Sequence, residues 1–423
     1  MIRTIDASRR EAVERRMGPD WTRDLGGTVQ QHLDRRQALK LLAALGAAGA
    51  ASACAPAGGG GGSTSQAPVR IGLIAPQTGA YRAIGTEMIN GFQLYLSLNN
   101  NELGGHPVEL IIADEGDTAK SGQAAFQQLR GKDVLAISGV AGSTVMTTIH
   151  DEVEKAQIPL IGSNGSPVSL HGVVFIWRTS YVDDEPGRAL APYLQSRVKG
   201  KIALVTTDQD AGLDALSGFR FAFGNTDTRI EDTVIQAPEA AKMGAGFYST
   251  TIQRIRSMDP EIVYCALGTN SGIEFVKQLR TAGLHLPIYA SGLLTEGSAL
   301  ETLGTAARGI YTSLNYSSDL ENPTNRRFAA AYRRAHNLAP TTFAMASFDA
   351  ASVLDQAIAL ASPSPTPLTV NQAIARLGLV DSPRGTWQFN QSRTPQQSWY
   401  LRQVRPDGQV LANVVLNELA TLG

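Results

Sequence analysis

From Val69 onward, short apolar runs alternate with stretches in which apolar residues return every three or four positions. The runs "VRIGLIAP", "VELIIAD", "DVLAISG" and "IPLIGS" read as strands. They lack the in-out alternation of a half-wet sheet, so both of their faces are covered, as in a parallel sheet flanked by helices. Between them lie helical patterns. One runs from Gly85, with Met88, Phe92 and Leu96 on one side; another is "AKSGQAAFQQLR"; a third spans about Thr144 to Ala156. After "RTSYVDDEPG" the cycle starts again, with strands "KIALVTT", "TVIQA", "EIVYCAL" and "PIYASG" separated by helices. "GIYTSLNY" reads as a strand that crosses back. Two helical stretches follow, "PTNRRFAAAYRRAH" and "TFAMASFDAASVLDQAIALA". The end alternates apolar and polar residues about Asp407-Gly408, a hairpin signal. The pattern predicts an α/β protein with two Rossmann-like lobes.

The segment before Val69 differs. Residues 1–33 are polar and carry charges of both signs; they form an N-terminal extension outside the fold. Residues 34–54 read as an export signal: Arg35, Arg36 and Lys40 precede the apolar run Leu41–Ala50, and the small residues Ala51-Ser52-Ala53 precede Cys54. That run is shorter than the roughly 20 residues of a stable span. Two readings of its end stand. Cys54 resembles a lipoprotein cysteine, although Ala51 occupies the usual leucine position; Ala51-Ser52-Ala53 equally fits A-x-A cleavage. Residues 55–67, "APAGGGGGSTSQA", are a flexible tether and favour the anchor. Arg35-Arg36 also resembles a twin-arginine signal, with general secretion the alternative.

The portion from Cys54 to Gly423 is too long for one core, which again favours two lobes. The net charge is −1 and no basic block occurs, which argues against a nucleic-acid partner. Of two cysteines, Cys54 lies in the export region and Cys265 in an apolar strand run, where it reads as a core residue. The six histidines lack metal-ligand spacing, and phosphate-loop, dinucleotide and nucleophile-elbow motifs are missing. The sequence therefore points to binding rather than catalysis.

In order and spacing, "RIGLIAPQTGAYRAIGTEMINGFQLYL", "IPLIGSNGSP", "FIWRTS", "STTIQRIRSMDPEIVYCA", "VKQLRTAGLHLPIYASG" and "FAAAYRRAHNLAPTTFAMASFDAASVL" resemble the branched-chain amino-acid (Leu/Ile/Val) type of periplasmic binding protein, a type I clamshell. The resemblance implies three crossings, near Arg178–Asp184, Gly309–Ser313 and Asp381–Gly385. Lobe I is then 68–181 plus 312–382, and lobe II 182–311 plus 383–423. It implies capture of a small polar solute (amino acid, amide or carboxylate) between the lobes by hinge closure, and delivery to the permease and ATPase subunits of an ABC importer. It further implies a monomer working outside the cytoplasm, held to the membrane by lipid, with neither cofactor nor metal. A ligand-sensing lipoprotein of the same fold is the alternative.

The same resemblance carries ligand-binding roles onto residues. Asn164, Gly165 and Ser166 match the carboxylate-binding turn, and Ser143 or Thr144, at a helix start after a strand, is available as cap and donor. Gln77, Tyr81 and Ile84 border the side-chain pocket, and Tyr181 lies at the first crossing. Lobe II departs from the family, and there the candidates are read from three strand-end loops: Asp210, Asn270 and Ser291. Amino-acid binders offer an acid to the ligand's ammonium after the strand "LPIYASG"; Gly292 and Leu293 stand there instead, with Asp208, Asp210 or Glu296 as replacements. On this reading Cys54→Ser releases the protein from membranes; unchanged fractionation and no acyl label on the parent protein would refute the anchor.

Overall fold

The computed structural model describes residues 66–235, 244 and 246–423. Cys54, Arg35, Arg36, the extension and nearly all of the tether lie outside the described residues. Strand β1 (Val69–Ala75) leads into helix α1 (Arg82–Leu98), the hairpin β2 (Glu102–Leu103) and β3 (His106–Asp114), then α2 (Ala119–Arg130), β4 (Ala136–Gly139), α3 (Ser143–Ala156), β5 (Leu160–Gly162) and β6 (Ile176–Arg178). These strands form one sheet in the order β2-β3-β1-β4-β5-β6, parallel except for β2.

Both faces of this sheet are apolar. Ile71 and Leu73 of β1 point into a cluster with Phe92, Leu354 and Ile358; Ile74 points into the other, with Phe126, Leu129 and Ile149. Gly72 is needed where α2 presses closest, because a Cβ there would lie 2.8 Å from Leu129 Cδ1.

The second lobe begins with α4 (Glu185–Arg197) and continues through β7 (Ile202–Thr207), α5 (Asp210–Phe223), β8 (Ile230–Ile235), α6 (Ser249–Met258), β9 (Ile262–Ala266), α7 (Thr269–Thr281), β10 (Ile288–Ser291), α8 (Ser298–Leu303) and β11 (Tyr311–Leu314). Its sheet runs β8-β7-β9-β10-β11 in parallel. Cys265 lies in the core of this lobe at 1% exposure, and burial pushes its thiol up to about 12.

The chain then returns to the first lobe as α9 (Pro323–His336), α10 (Thr342–Ala361) and α11 (Pro367–Ile374). Asn371 of α11 accepts the Trp177 indole N–H at 2.7 Å and donates to the Val174 carbonyl at 3.0 Å, which docks α11 on the sheet. The strands β12 (Gln388–Phe389), β13 (Pro395–Asp407) and β14 (Val410–Leu422) finish the fold, β13 and β14 as the expected hairpin beside β11.

Two crossings sit elsewhere than the sequence suggested. Tyr311–Leu314 is hydrogen-bonded between β10 and β13, so the chain leaves the second sheet only after Leu314. The third passage is also later. Ser382 and Arg384 bind Asp349 of α10, and Trp387 is buried in the first lobe's core; Trp399 is the first large residue of this passage packed in the second.

One buried ion pair joins all of these passages. Arg384 Nη2 lies 2.6 Å from Asp349 Oδ2, with both side chains at or below 1% exposure. The same guanidinium donates to the carbonyls of Thr179 and Ser180 in the first crossing and to Gln397 Oε1 in the third. Gln397 Oε1 also accepts from Asn315 Nδ2, in the second, at 2.8 Å. Removing one partner of such a pair strands the other charge, at a cost of roughly 3–5 kcal/mol. Asp349→Ala should therefore lower the unfolding free energy from chemical denaturation by an amount in that range, with a lower midpoint; an unchanged midpoint would show that the pair is not what holds the crossings.

Candidate functional site

The first lobe brings four strand-end loops to the cleft. Asp114, at the end of β3, shapes the loop after β1. It accepts the N–H of Gln77 at 2.7 Å and of Gly116 at 3.0 Å, and the Thr78 hydroxyl at 2.6 Å. Burial works to raise its pKa, but these donors together hold the carboxyl below the usual range. Gln77 and Tyr81 are exposed on this loop, and Ile84 is half-buried behind it. Ile84 packs in an apolar cluster with Ala75, Met88, Ala141, Phe343 and, from the other lobe, Leu293.

Ser143, Asn164, Gly165 and Ser166 come together at the ends of β4 and β5. Ser143 Oγ accepts the Ser166 N–H at 3.2 Å, and Asn164 Nδ2 donates to the Ala141 carbonyl at 2.6 Å. A Cβ on Gly165 would lie 2.7 Å from Gly142 backbone, so only glycine lets the two loops touch. Thr144 is exposed on the first turn of α3, whose leading N–H groups have no intrahelical acceptor.

Two charged residues that sequence reasoning missed complete this side. Glu115, 2% exposed, accepts the Ala141 and Gly142 N–H groups at 2.7 and 2.8 Å. Arg178, also 2% exposed, donates to the carbonyls of Ser392 and Pro167 and, at 3.5 Å, to Ser166 Oγ. Its Nε has no hydrogen-bond partner, and burial lowers its pKa to about 10 despite Glu185, Asp183 and Asp184 nearby. A positive charge thus lies directly beneath the Asn164–Ser166 turn. An acid straight after a strand, in "ADEGDT", was the signal available for Glu115.

The second lobe contributes less charge than expected. Asp210 is exposed at the start of α5, and no contact joins it to the other candidates. It is Asp214, one turn on, that crosses the cleft: its Oδ2 accepts the Val168 N–H at 2.8 Å. Asn270 Nδ2 reaches the Ala80 carbonyl at 3.4 Å, which links α7 to the loop after β1. Ser291 ends β10, and Tyr181 lies edge-on to Trp399 with ring centroids 5.1 Å apart.

Glu296 does not replace the missing acid. Its carboxylate is taken by Arg402 Nη1 at 2.7 Å and by the Thr342 N–H, at the start of α10, at 2.9 Å. The strand-end turn after β10 therefore presents Leu293 toward the first lobe and no free carboxylate from Glu296.

Most of the described fold matches a known family. A profile of the periplasmic binding proteins covers residues 68–409. The chain belongs to that family. This periplasmic binding protein is 24% identical over 348 residues to the Leu/Ile/Val-binding protein homolog 6 of Brucella suis biovar 1, covering 79% of this chain and 87% of the relative. Among solved structures, it is similar to a solute-binding protein of an ABC transporter from R. palustris in complex with benzoate, with TM-score 0.76, 25% identity, and 84% and 96% of the two chains covered. The leucine-binding protein LivK of Thermotoga maritima has TM-score 0.74 and 21% identity, with 83% and 98% covered. Like the family, this periplasmic binding protein binds solute for an ABC transporter and works outside the cytoplasm.

Burial raises several carboxyls around the cleft: Glu115 and Asp183 to about 7, and Glu185 to about 8. The folded state keeps these protons above pH 4–4.5, where the unfolded chain gives them up, so the native state binds more protons across that window and stability falls as pH rises. The melting temperature should decline between pH 5 and 8. Glu185→Gln, which can still accept the Val182 N–H, should flatten the decline. A melting temperature that climbs over this range, or a variant with an unchanged slope, would count against these assignments.

Proposed function

We propose that the protein captures a small carboxylate with an apolar, aromatic-sized body, rather than a zwitterionic amino acid, and hands it to an ABC permease. The observation that carries this reading is Leu293, which stands where an amino-acid binder offers an acid and packs toward Ile84, Ala141 and Phe343. Burying an ammonium there without an anion would be costly. The opposite end suits an anion. Ser143 and Thr144 stand at the start of α3, whose leading N–H groups lack intrahelical acceptors and whose dipole favours negative charge, and Arg178 lies beneath the adjoining Asn164–Ser166 turn. The benzoate complex of the R. palustris relative agrees with this chemistry. Gln77 and Tyr81 border the mouth, and Asn270 and Asp214 hold the lobes together through Ala80 and Val168. Those two contacts part when the lobes rotate about the three crossings, in the manner of hinge closure. The protein acts as a monomer, anchored through Cys54.

Calorimetry and thermal shift on the purified protein test the reading. Benzoate should bind in the micromolar range, about −8 kcal/mol. At a hundredfold excess over Kd it should stabilise the fold by about 2.7 kcal/mol. Leucine, isoleucine and valine should give no comparable shift. Tight leucine binding that Asp210→Ala abolishes would mean that Asp210 serves as the ammonium partner and that the reading is wrong.

A further inference from the structure

The end of the first lobe remote from the cleft has no part in solute capture. The cleft loops follow the carboxyl ends of β1, β3, β4 and β5, so the start of β1 at Val69 marks the opposite end. His106 fastens the chain there. Its Nδ1 donates to the Ala67 carbonyl at 2.8 Å, and its Nε2 lies 3.1 Å from Ser362 Oγ, just past α10. The tether therefore joins the fold beside the end of α10. The Tyr95 hydroxyl of α1 and the Gly104 N–H both donate to Asp355, each at 2.6 Å, which sets the end of α1 against the same last turns.

What these helix ends expose is apolar and uncharged. Leu98 closes α1, Leu360 stands in the last turn of α10 and Leu368 in the first turn of α11; they are 55%, 64% and 50% exposed. Charged residues make up 18% of the chain, yet none occurs in 55–69, 88–101 or 356–375, the three stretches that converge here. Asp355, the acid of α10 before that stretch, is turned inward onto Tyr95 and Gly104. Exposed leucines scattered singly need no explanation, but a group of them on an uncharged end of a lobe does. Water does not require such an end to lack charge. Contact with lipid does, because charges are costly to strip of water.

We propose that this end of the first lobe docks on the lipid bilayer, with Leu98, Leu360 and Leu368 inserted at the boundary between headgroups and acyl chains. The tether argues for a bilayer as the occupant. Residues 55–66 extend at most about 40 Å, and they run from Cys54, beside the export segment, to this same end of the fold. The docked protein rests with its cleft away from the bilayer, and delivery requires release. A few leucines without a basic cluster suit such weak, reversible contact. The proposal is independent of which solute the cleft takes.

The test places one fluorophore at a time on the full chain carrying Cys54→Ser, so that no acyl chain contributes; Cys265 is buried and escapes labelling. An environment-sensitive dye is attached through Leu360→Cys or, on the second lobe, through Val410→Cys, a position 65% exposed. Vesicles of phosphatidylethanolamine and phosphatidylglycerol should shift the emission at 360 to the blue and leave that at 410 unchanged. Adding Leu98→Gln and Leu368→Gln should raise the lipid concentration needed for half of the shift about tenfold. Both side chains are exposed, so the melting temperature should stay the same. No shift at 360, equal shifts at 360 and 410, or a shift that survives both glutamines would overturn the proposal. Blue emission at 360 already present without vesicles would mean that a second copy or the chain's own leader covers this end, and would overturn it as well.

Discussion

The structure depends on a guanidinium that cannot reach water. Arg384 is 3% exposed and lies where the three passages between the lobes run side by side. Its charge is met by Asp349, and its remaining donors by carbonyls and an amide drawn from the first and third passages. Ser382 and the Trp387 indole also donate to Asp349, at 2.8 and 3.1 Å. A buried pair contributes little net stability over an apolar substitute, because desolvation offsets the attraction. What it does provide is position. Every group that satisfies Arg384 is fixed in place by doing so, and the Thr179 and Ser180 carbonyls belong to the backbone that leads directly to Tyr181 and the acids after it. The root of the cleft is set by this one residue.

The same requirement governs the cleft's charge. A second buried arginine, Arg402, engages Glu296, and Glu296 in turn caps the start of α10. A third, Arg178, has no carboxylate within ion-pair distance among the described residues, and rests on carbonyls beneath the Asn164–Ser166 turn. The first lobe's side therefore holds a buried arginine together with the buried acids Glu115 and Asp183, while Glu296 leaves no free carboxylate in the turn after β10 opposite.

Much of this was legible in the chain. The stretches 119–130, 323–336 and 342–361 form helices with the expected bounds, because each has both a periodic apolar face and a clear signal at its start: Thr118, Asn322 and Thr341 all cap by side chain. The second crossing was not legible, since "YTSL" is equally apolar whether it sits within a sheet or leaves it. The third was missed because the destination of Trp387 depends on Asp349, 38 residues earlier. Asp210 and Asp214 differ by one helical turn. The sequence shows that acids are present there, but which one faces the other lobe follows from how α5 packs on α4, and that packing is set by close contacts at Gly187 and Gly218. The pairing of Glu115 with the Ala141 and Gly142 N–H groups likewise needs the fold.

On the proposed function, the two lobes would divide the work of recognition according to what each presents. In the first lobe the cleft floor is mostly backbone. Glu115 fixes Ala141 and Gly142, Ser143 fixes Ser166, and Gly165 lets the loops touch with no side chain between them. Backbone N–H groups recognise an anionic end but distinguish poorly between the bodies attached to it. Opposite this floor the wall consists of side chains, Leu293 and Ser291 of the second lobe and Tyr181 of the first crossing. On the proposed function, the first lobe holds what all ligands of the family's clamshell share, and the second selects among them. A change of ligand then requires only substitutions near the end of β10, and the replacement of an acid by Gly292-Leu293 is a change of that kind.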